Sequence, residues 1–219
     1  MRGNYSKFTS FIIVLLLLSG CAGTQSALNI YTAKQFVVTF HEDGSYEREM
    51  AETVEQAKAY IDQRTKTGSS KLAIIFDIDE TLLSNYGFLH KQTDFGYIPD
   101  LWGRWVSAAD APGLLPVCEL FNYATEKNVT PFIITGRSEV HREVTVKNLE
   151  KAGCGKFKKL YMKNRQSPAT AAEYKSQIRR QISESGYLII VNIGDQLSDL
   201  SGGYSEKIFK LPNRMYFIK

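Results

Sequence analysis

Apolar residues at Met50, Val54, Ala57 and Ile61 stand three or four positions apart, so the stretch from Tyr46 to about Lys66 is predicted to be an amphipathic helix that stops at "TGSS". Beyond it the pattern changes. "KLAIIFDI", "TPFIIT", "KKLYM", "YLIIVNI" and "EKIFKL" are short, nearly continuous apolar runs, and helical segments fall between them near residues 115–127, 139–152 and 170–184. Such strands alternating with helices predict a parallel sheet covered on both faces. Upstream of the first helix, residues 22–35 read as a tether, "FVVTF" as a short strand and "HEDGS" as a turn.

The alternation is interrupted once. Between the first strand and the helix at 115 lie about 35 residues rich in aromatics: Tyr86, Phe88, Phe95, Tyr97, Trp102 and Trp105. A connection that long inside a compact sheet usually carries function, so it is expected to form a small, partly helical cap over the sheet edge, spanning about residues 84–114. Its aromatics are core by default. Trp102 and Trp105, three apart on a predicted helix, are also spaced to present one ring to a pocket, where a nucleobase or aromatic leaving group would stack.

Composition adds little. A chain of 219 residues, 43% hydrophobic and 23% charged, suits one sizeable core. The net charge of +4 comes from dispersed basic residues, so charge suggests no nucleic-acid partner. The N-terminus is more informative. "MRGNYSK", then "FIIVLLLL", then "LSGC" reads as a signal peptide over residues 1–20, with an apolar stretch too short for a comfortable membrane span. Ser19 and Gly20 before Cys21 resemble the bacterial lipoprotein cleavage box. That resemblance implies cleavage before Cys21, a lipid on its sulfur, a lipidated tether over 21–35 and a folded domain over 36–219. A plain secretory signal or an uncleaved anchor is the alternative. Ala22, by the same resemblance, sorts the protein to the outer membrane of a bacterial cell envelope, facing periplasm or exterior. Cys118 and Cys154 then remain, either as a disulfide in an oxidising compartment or as two buried thiols.

In open α/β sheets, ligands bind just beyond the carboxyl ends of the strands. Three polar clusters fall there: Asp77 and Asp79 in "FDIDETLLSN", Thr135, Gly136 and Arg137 in "TGR", and Asp195 and Asp199 in "GDQLSD". Lys175 lies on the helix before the last of these strands. Several carboxylates sharing one crevice resist ionisation unless a cation sits among them, and an all-oxygen ligand set points to magnesium rather than zinc. A lysine, a hydroxyl and helix N-terminal amides give the same pocket a side that suits phosphate. Plainer readings stand beside these: a solvated turn for Asp77 and Asp79, a helix cap for Asp195 or Thr135, a surface position for Lys175 and a structural salt bridge for Arg137. His41, His90 and His141 read more readily as structural than as catalytic.

In order along the chain, "DIDET", "TGR", a lysine twenty residues before Asp195, and "GDxxxD" resemble the four motifs of the haloacid dehalogenase superfamily of phosphatases. "DAPGLLP", "TGRSEVHREVTVKNLEKAG", "YKSQIRR" and "FKLPNRMYFI" extend the likeness over nearly all of the mature chain. They are similar to the class B and class C-like acid phosphatases, with plant acid phosphatases, vegetative storage proteins and bacterial lipoprotein acid phosphatases among them. The resemblance implies a haloacid-dehalogenase-like Rossmannoid α/β fold, a parallel sheet flanked by helices with the cap inserted after the first core strand. It also implies roles. Asp77 is the expected nucleophile, forming an aspartyl-phosphate, and Asp79 the general acid and then base; two apart on an extended segment, their side chains reach the same side. Mg2+ is expected on Asp77, the Asp79 backbone carbonyl and Asp195, with Asp199 orienting that shell. Thr135 and Gly136 would hold phosphate oxygens, and Lys175 would neutralise charge between nucleophile and phosphate.

The activity implied is magnesium-dependent hydrolysis of small phosphate monoesters, nucleoside monophosphates included, at mildly acidic pH. A dedicated 5′-nucleotidase, a phosphotransferase or a noncatalytic storage protein are the alternatives. A homo-oligomer is compatible with everything above.

Overall fold

A computed structural model describes residues 29–68, 71–164 and 166–218. Each apolar run becomes a strand: β1 (Leu72–Phe76), β2 (Thr130–Ser138), β3 (Lys159–Lys163), β4 (Leu188–Gly194) and β5 (Lys207–Lys210). All pairings are parallel, in the order β3-β2-β1-β4-β5, so β1 is central. Helices α1 (Ile30–Glu42) and α2 (Ser45–Thr65) precede β1, while α3 (Tyr86–Thr93), α4 (Pro99–Ala108) and α5 (Leu115–Glu126) separate β1 from β2. The remaining helices, α6 (Arg142–Lys151), α7 (Ala171–Glu184) and α8 (Leu197–Leu200), follow β2, β3 and β4.

Every residue of β1 is buried because both sheet faces are covered. Ile74 and Phe76 pack with Met50, Val54, Ala57 and Ile61 of α2 and with Val117, Leu120 and Phe121 of α5. Ala73 and Ile75 point the other way, onto Ile178 and Ile182 of α7. Each large side chain so buried contributes about 1.5–3 kcal/mol, which is what holds the strand ends, and the polar residues beyond them, in fixed register.

The structure corrects the reading of the N-terminal segment. "FVVTF" belongs to α1, and that helix begins inside the stretch that reads as tether. Val37, Val38 and Thr39 favour a strand locally, but Asn29 caps a helix by accepting the Thr32 N–H at 2.9 Å, and Val37 and Phe40, three apart, reach the core together. The signal segment 1–20, Cys21 and residues 22–28 lie outside the described residues. No described helix is long and apolar enough to cross a membrane.

Two further boundaries move. The helix expected from 139 opens as a 3-10 turn, Glu139–His141, before α6. Strand β2 runs on through "TGR" to Ser138, with a register shift between Thr135 and Ser138 that releases Gly136 and Arg137 from regular pairing with β3. Cys118 on α5 and Cys154 after α6, Cα atoms 5.6 Å apart, form a disulfide.

Candidate active site

Directly after β1, the chain turns tightly. The Ile78 carbonyl accepts the N–H groups of Thr81, Leu82 and Leu83, and Glu80 takes a left-handed conformation, φ +56°. Asp77, still tied to β4 by its N–H to the Ile193 carbonyl (3.2 Å), and Asp79 thereby face one cavity of about 460 Å³. Its polar side is formed by these two residues with Arg137, Lys175, Asp195 and Asp199, and its apolar side by Leu89, Phe95, Tyr97 and Trp102 from the segment between β1 and α5 and by Phe217 and Ile218.

Lys175 is buried and donates to Asp77 Oδ1 and, at 2.6 Å, to Asp199 Oδ1. Burial alone would lower the ammonium pKa, but Asp77 and Asp199 outweigh it and the pKa is raised. Burial pushes the Asp77 carboxyl well above the usual range against the pull of Lys175, with Asp199, Asp195 and Asp79 adding to the rise. Asp195 is pushed up to about 7, by burial first and then by Asp199 and Glu80. Asp77, Asp195 and Asp199 each offer an oxygen within 4.8 Å of the others, a cluster of a size that holds a metal ion. Asp199 has both oxygens engaged by short bonds, since its Oδ2 also accepts the Gln196 N–H at 2.8 Å. That bond closes a capping box on the short helix α8, with Gln196 at its N-cap and Asp199 at the third helical position, so Asp195 is not the cap. Gly194 allows this approach: a Cβ there would lie 2.6 Å from Asp199 Oδ2.

Asp79 is held by a guanidinium fork. Arg137 donates through Nη2 at 2.7 Å and Nε at 3.1 Å to Asp79 Oδ1, with a longer Nε contact of 3.2 Å to Oδ2. Arg137 is therefore in a salt bridge. Gly136 lines the cavity, whereas Thr135 is fully buried with its hydroxyl accepting the Arg137 N–H at 3.1 Å. Of the two tryptophans, Trp102 lines the cavity; Trp105 stacks on Phe88 at 5.2 Å and packs against the core. His41 stacks on Tyr86 at 4.0 Å and His90 on Phe95 at 5.5 Å, and His141 lines a separate surface hollow with Asp100 and Arg104.

Sequence reasoning passes over several residues that build this site. Glu80 is buried and accepts from the Asn85 N–H (2.6 Å) and the Tyr216 hydroxyl. Burial, with Asp79 nearby, pushes its carboxyl up to about 7. Gln196 and Asn213 donate to Asp195 Oδ2 at 2.6 and 2.7 Å. Arg179, fully buried one turn beyond Lys175, donates to the carbonyls of Asp199 (2.7 Å), Gly203 (2.8 Å) and Ser201. A signal for Arg179 was available, since an arginine four residues after a buried lysine shares its helix face.

Comparison with known proteins places this arrangement. Acid phosphatase 1 of Solanum lycopersicum is 41% identical over 151 residues, covering 66% of this chain and 58% of its own length. Vegetative storage protein 1 of Arabidopsis thaliana is 37% identical over 150 residues, covering 66% and 54%. The matches thus span little more than half the length of these relatives. The class C acid phosphatase from Bacillus anthracis has the same fold, with a TM-score of 0.71 at 24% identity over 85% of this chain and 84% of that one. A family described as HAD superfamily, subfamily IIIB (acid phosphatase) matches residues 22–219. With its four acidic and two basic groups gathered at the end of the central strand, the chain belongs to the acid phosphatase subfamily, IIIB, of the haloacid dehalogenase superfamily.

Proposed function

We propose that this protein is a magnesium-dependent acid phosphatase that hydrolyses small phosphate monoesters. The observation that carries the reading is the pair Asp77 and Asp79 facing one cavity, the first beside Lys175 and the second in the grip of Arg137. Acid phosphatases among the relatives support it, as does a structure of the Bacillus anthracis enzyme with tungstate, a tetrahedral oxyanion.

The residues fit a divalent ion. With Asp77, Asp79, Asp195 and Asp199 all ionised, four negative charges would face two positive charges on Lys175 and Arg137, a net −2 that one divalent cation cancels; without an ion, the raised pKa values of Asp77 and Asp195 reflect in part that crowding of charge. Asp195 Oδ1 has only a 3.4 Å contact from the Thr81 hydroxyl, and Ser198, which lines the cavity, has a buried hydroxyl with no partner among the described residues. Asp77, Asp195 and the Asp79 carbonyl would hold Mg2+, with Asp199, occupied by Lys175 and Gln196, orienting them. When bound, the ion supplies charge neutralisation for the phosphoryl oxygens.

The rest of the chemistry belongs to the chain's own groups. An Asp77 oxygen attacks phosphorus, the phosphorus–ester oxygen bond breaks, and the departing oxygen takes its electron pair and a proton from Asp79. Water then attacks the aspartyl-phosphate and yields its proton to Asp79, freeing phosphate and the Asp77 carboxylate. Lys175 and the Gly136 N–H balance charge on the phosphoryl oxygens, while Thr135, buried behind them, holds the Arg137 backbone. Because Asp79 must carry a proton at the first step, the optimum falls on the acid side of neutrality. The apolar cavity side suits a leaving group with a flat, apolar face, nucleoside monophosphates included. Cys21 is read as the lipid anchor that keeps the enzyme at the envelope surface, where phosphate is released for uptake; Cys21→Ala should abolish lipid incorporation.

The test is p-nitrophenyl phosphate hydrolysis by the full chain in mild detergent, from about pH 4 to about pH 8, with magnesium and with chelator. Magnesium-dependent release abolished by Asp77→Asn is expected. A folded wild-type chain that releases nothing under any of these conditions would sink the reading.

A further inference from the structure

The Asn85 side chain sits among three hydrogen-bonding groups, the Trp105 indole and the carboxyl groups of Asp79 and Glu80. Its side-chain oxygen accepts the Trp105 indole N–H at 2.7 Å, and its amide nitrogen donates to Asp79 Oδ1 at 3.0 Å and Glu80 Oε2 at 3.2 Å. An indole N–H only donates, and an ionised carboxylate only accepts. The opposite amide orientation would put an oxygen against two carboxylates and an NH2 group against the indole. The orientation of Asn85 is thus fixed by the indole, which donates at every pH, and that leaves the amide nitrogen to the two carboxyl groups.

The consequence falls on Asp79. Three close donations, Arg137 Nη2 and Nε and Asn85 Nδ2, converge on Oδ1, and among the described residues Oδ2 has only the 3.2 Å Arg137 contact. Arg137 lies at one end of the set, on β2. At the other end Trp105 belongs to α4, the helix that also brings Trp102 to the cavity three residues earlier. The same helix therefore shapes the space for the leaving group and fixes the amide that holds the acid.

We infer that Asn85 is a positioning residue for proton transfer: held by Trp105, it locks Asp79 Oδ1 and so assigns Oδ2 as the oxygen that hands the proton to the departing alkoxide. This inference rests on the phosphatase reading above. The proton leaves Asp79 Oδ2 as the phosphorus–oxygen bond breaks and ends on the alcohol product, with nothing else consumed.

Leaving groups separate this role from a merely structural one. p-Nitrophenolate departs without needing a proton, whereas the alkoxide of glycerol 2-phosphate needs one as the bond breaks. The experiment compares kcat/KM, which reports the leaving-group step before the shared aspartyl-phosphate, on the two esters, with magnesium, for the wild-type full chain, Asn85→Ala and Trp105→Phe, each checked for native circular dichroism. For Asn85→Ala, kcat/KM should fall about tenfold to a hundredfold further on glycerol 2-phosphate than on p-nitrophenyl phosphate, with Trp105→Phe weaker in the same direction. Equal losses on both esters in Trp105→Phe, or no loss, would overturn the inference while leaving the phosphatase reading intact, and Trp105→Phe decides the matter if Asn85→Ala does not fold. A folded wild-type chain silent on both esters overturns both.

Discussion

Replacing Arg179 with methionine tests whether the acidic loop is held in place from behind. The guanidinium is fully buried, and its three nitrogens each donate to a different backbone carbonyl: Asp199 at 2.7 Å, Gly203 at 2.8 Å, and Ser201. Burial pulls its pKa down to about 10, so it is still charged at neutral pH. Methionine fills much of the stem's volume and restores none of the bonds. The Asp199 carbonyl keeps a 3.0 Å bond from Asn192 Nδ2, but those of Ser201 and Gly203 lose Arg179 and must turn to water at the loop surface. Charged hydrogen bonds contribute about 1.5–3 kcal/mol each, and partial hydration of the two outer carbonyls returns part of that, leaving a net loss of about 4 kcal/mol. At about 2–4 °C per kcal/mol for a chain of this size, Tm should fall by about 8–16 °C. Arg179→Lys should recover little, since an ammonium lacks the planar fork that reaches three carbonyls at once. Thermal unfolding followed by circular dichroism gives Tm, and kcat measured well below the transition reports the displacement of Asp195 and Asp199. A methionine variant within about 2 °C of wild type would refute the reasoning.

Two other predictions concern the acidic cluster. With metal removed, Asp195 and Glu80 have carboxyl pKa values raised to about 7. A raised acid pKa means that the folded state binds more protons than the unfolded chain, so its contribution is present below about pH 4 and lost as pH rises through about 7. Tm of the chelated protein should therefore drop between about pH 5 and about pH 8, and saturating magnesium should restore most of the loss at the upper end; a flat profile in chelator would contradict it. Gly194→Ala puts a methyl 2.6 Å from Asp199 Oδ2 and must displace that carboxylate, and with it Lys175. kcat should fall on the order of a hundredfold, and a value within about threefold of wild type would mean that Asp199 tolerates the shift.

The sheet and the residues at its strand ends were legible because both depend on local pattern. Asp77, Gly136 and Asp195 each follow or end an apolar run, and burial of that run fixes where they emerge. What stayed hidden depends on pairings between distant positions. Trp105 finds Asn85 across 20 residues, and Tyr216 finds Glu80 across 136, so no helical or strand period links the partners. Residue type misled only where local preference and tertiary context disagree: the β-branched Val37 and Val38 favour a strand, and the cap at Asn29 with the apolar pair Val37 and Phe40 overrules them. Arg137 left two roles open in the sequence, and the structure gives its guanidinium to Asp79.

Helix α7 presents two cations from one face, Lys175 to the carboxylates and Arg179 to the carbonyls just beyond them. A helix advances about 1.5 Å and turns about 100° per residue, so their offset is set by the count of residues between them. One residue added or removed there would swing one cation off its partners while leaving composition, charge and helix propensity nearly untouched. The count of residues between Lys175 and Arg179 is therefore a constraint that no substitution at either position reveals. The spacing itself is a heritable part of the site, as much as the identity of either residue.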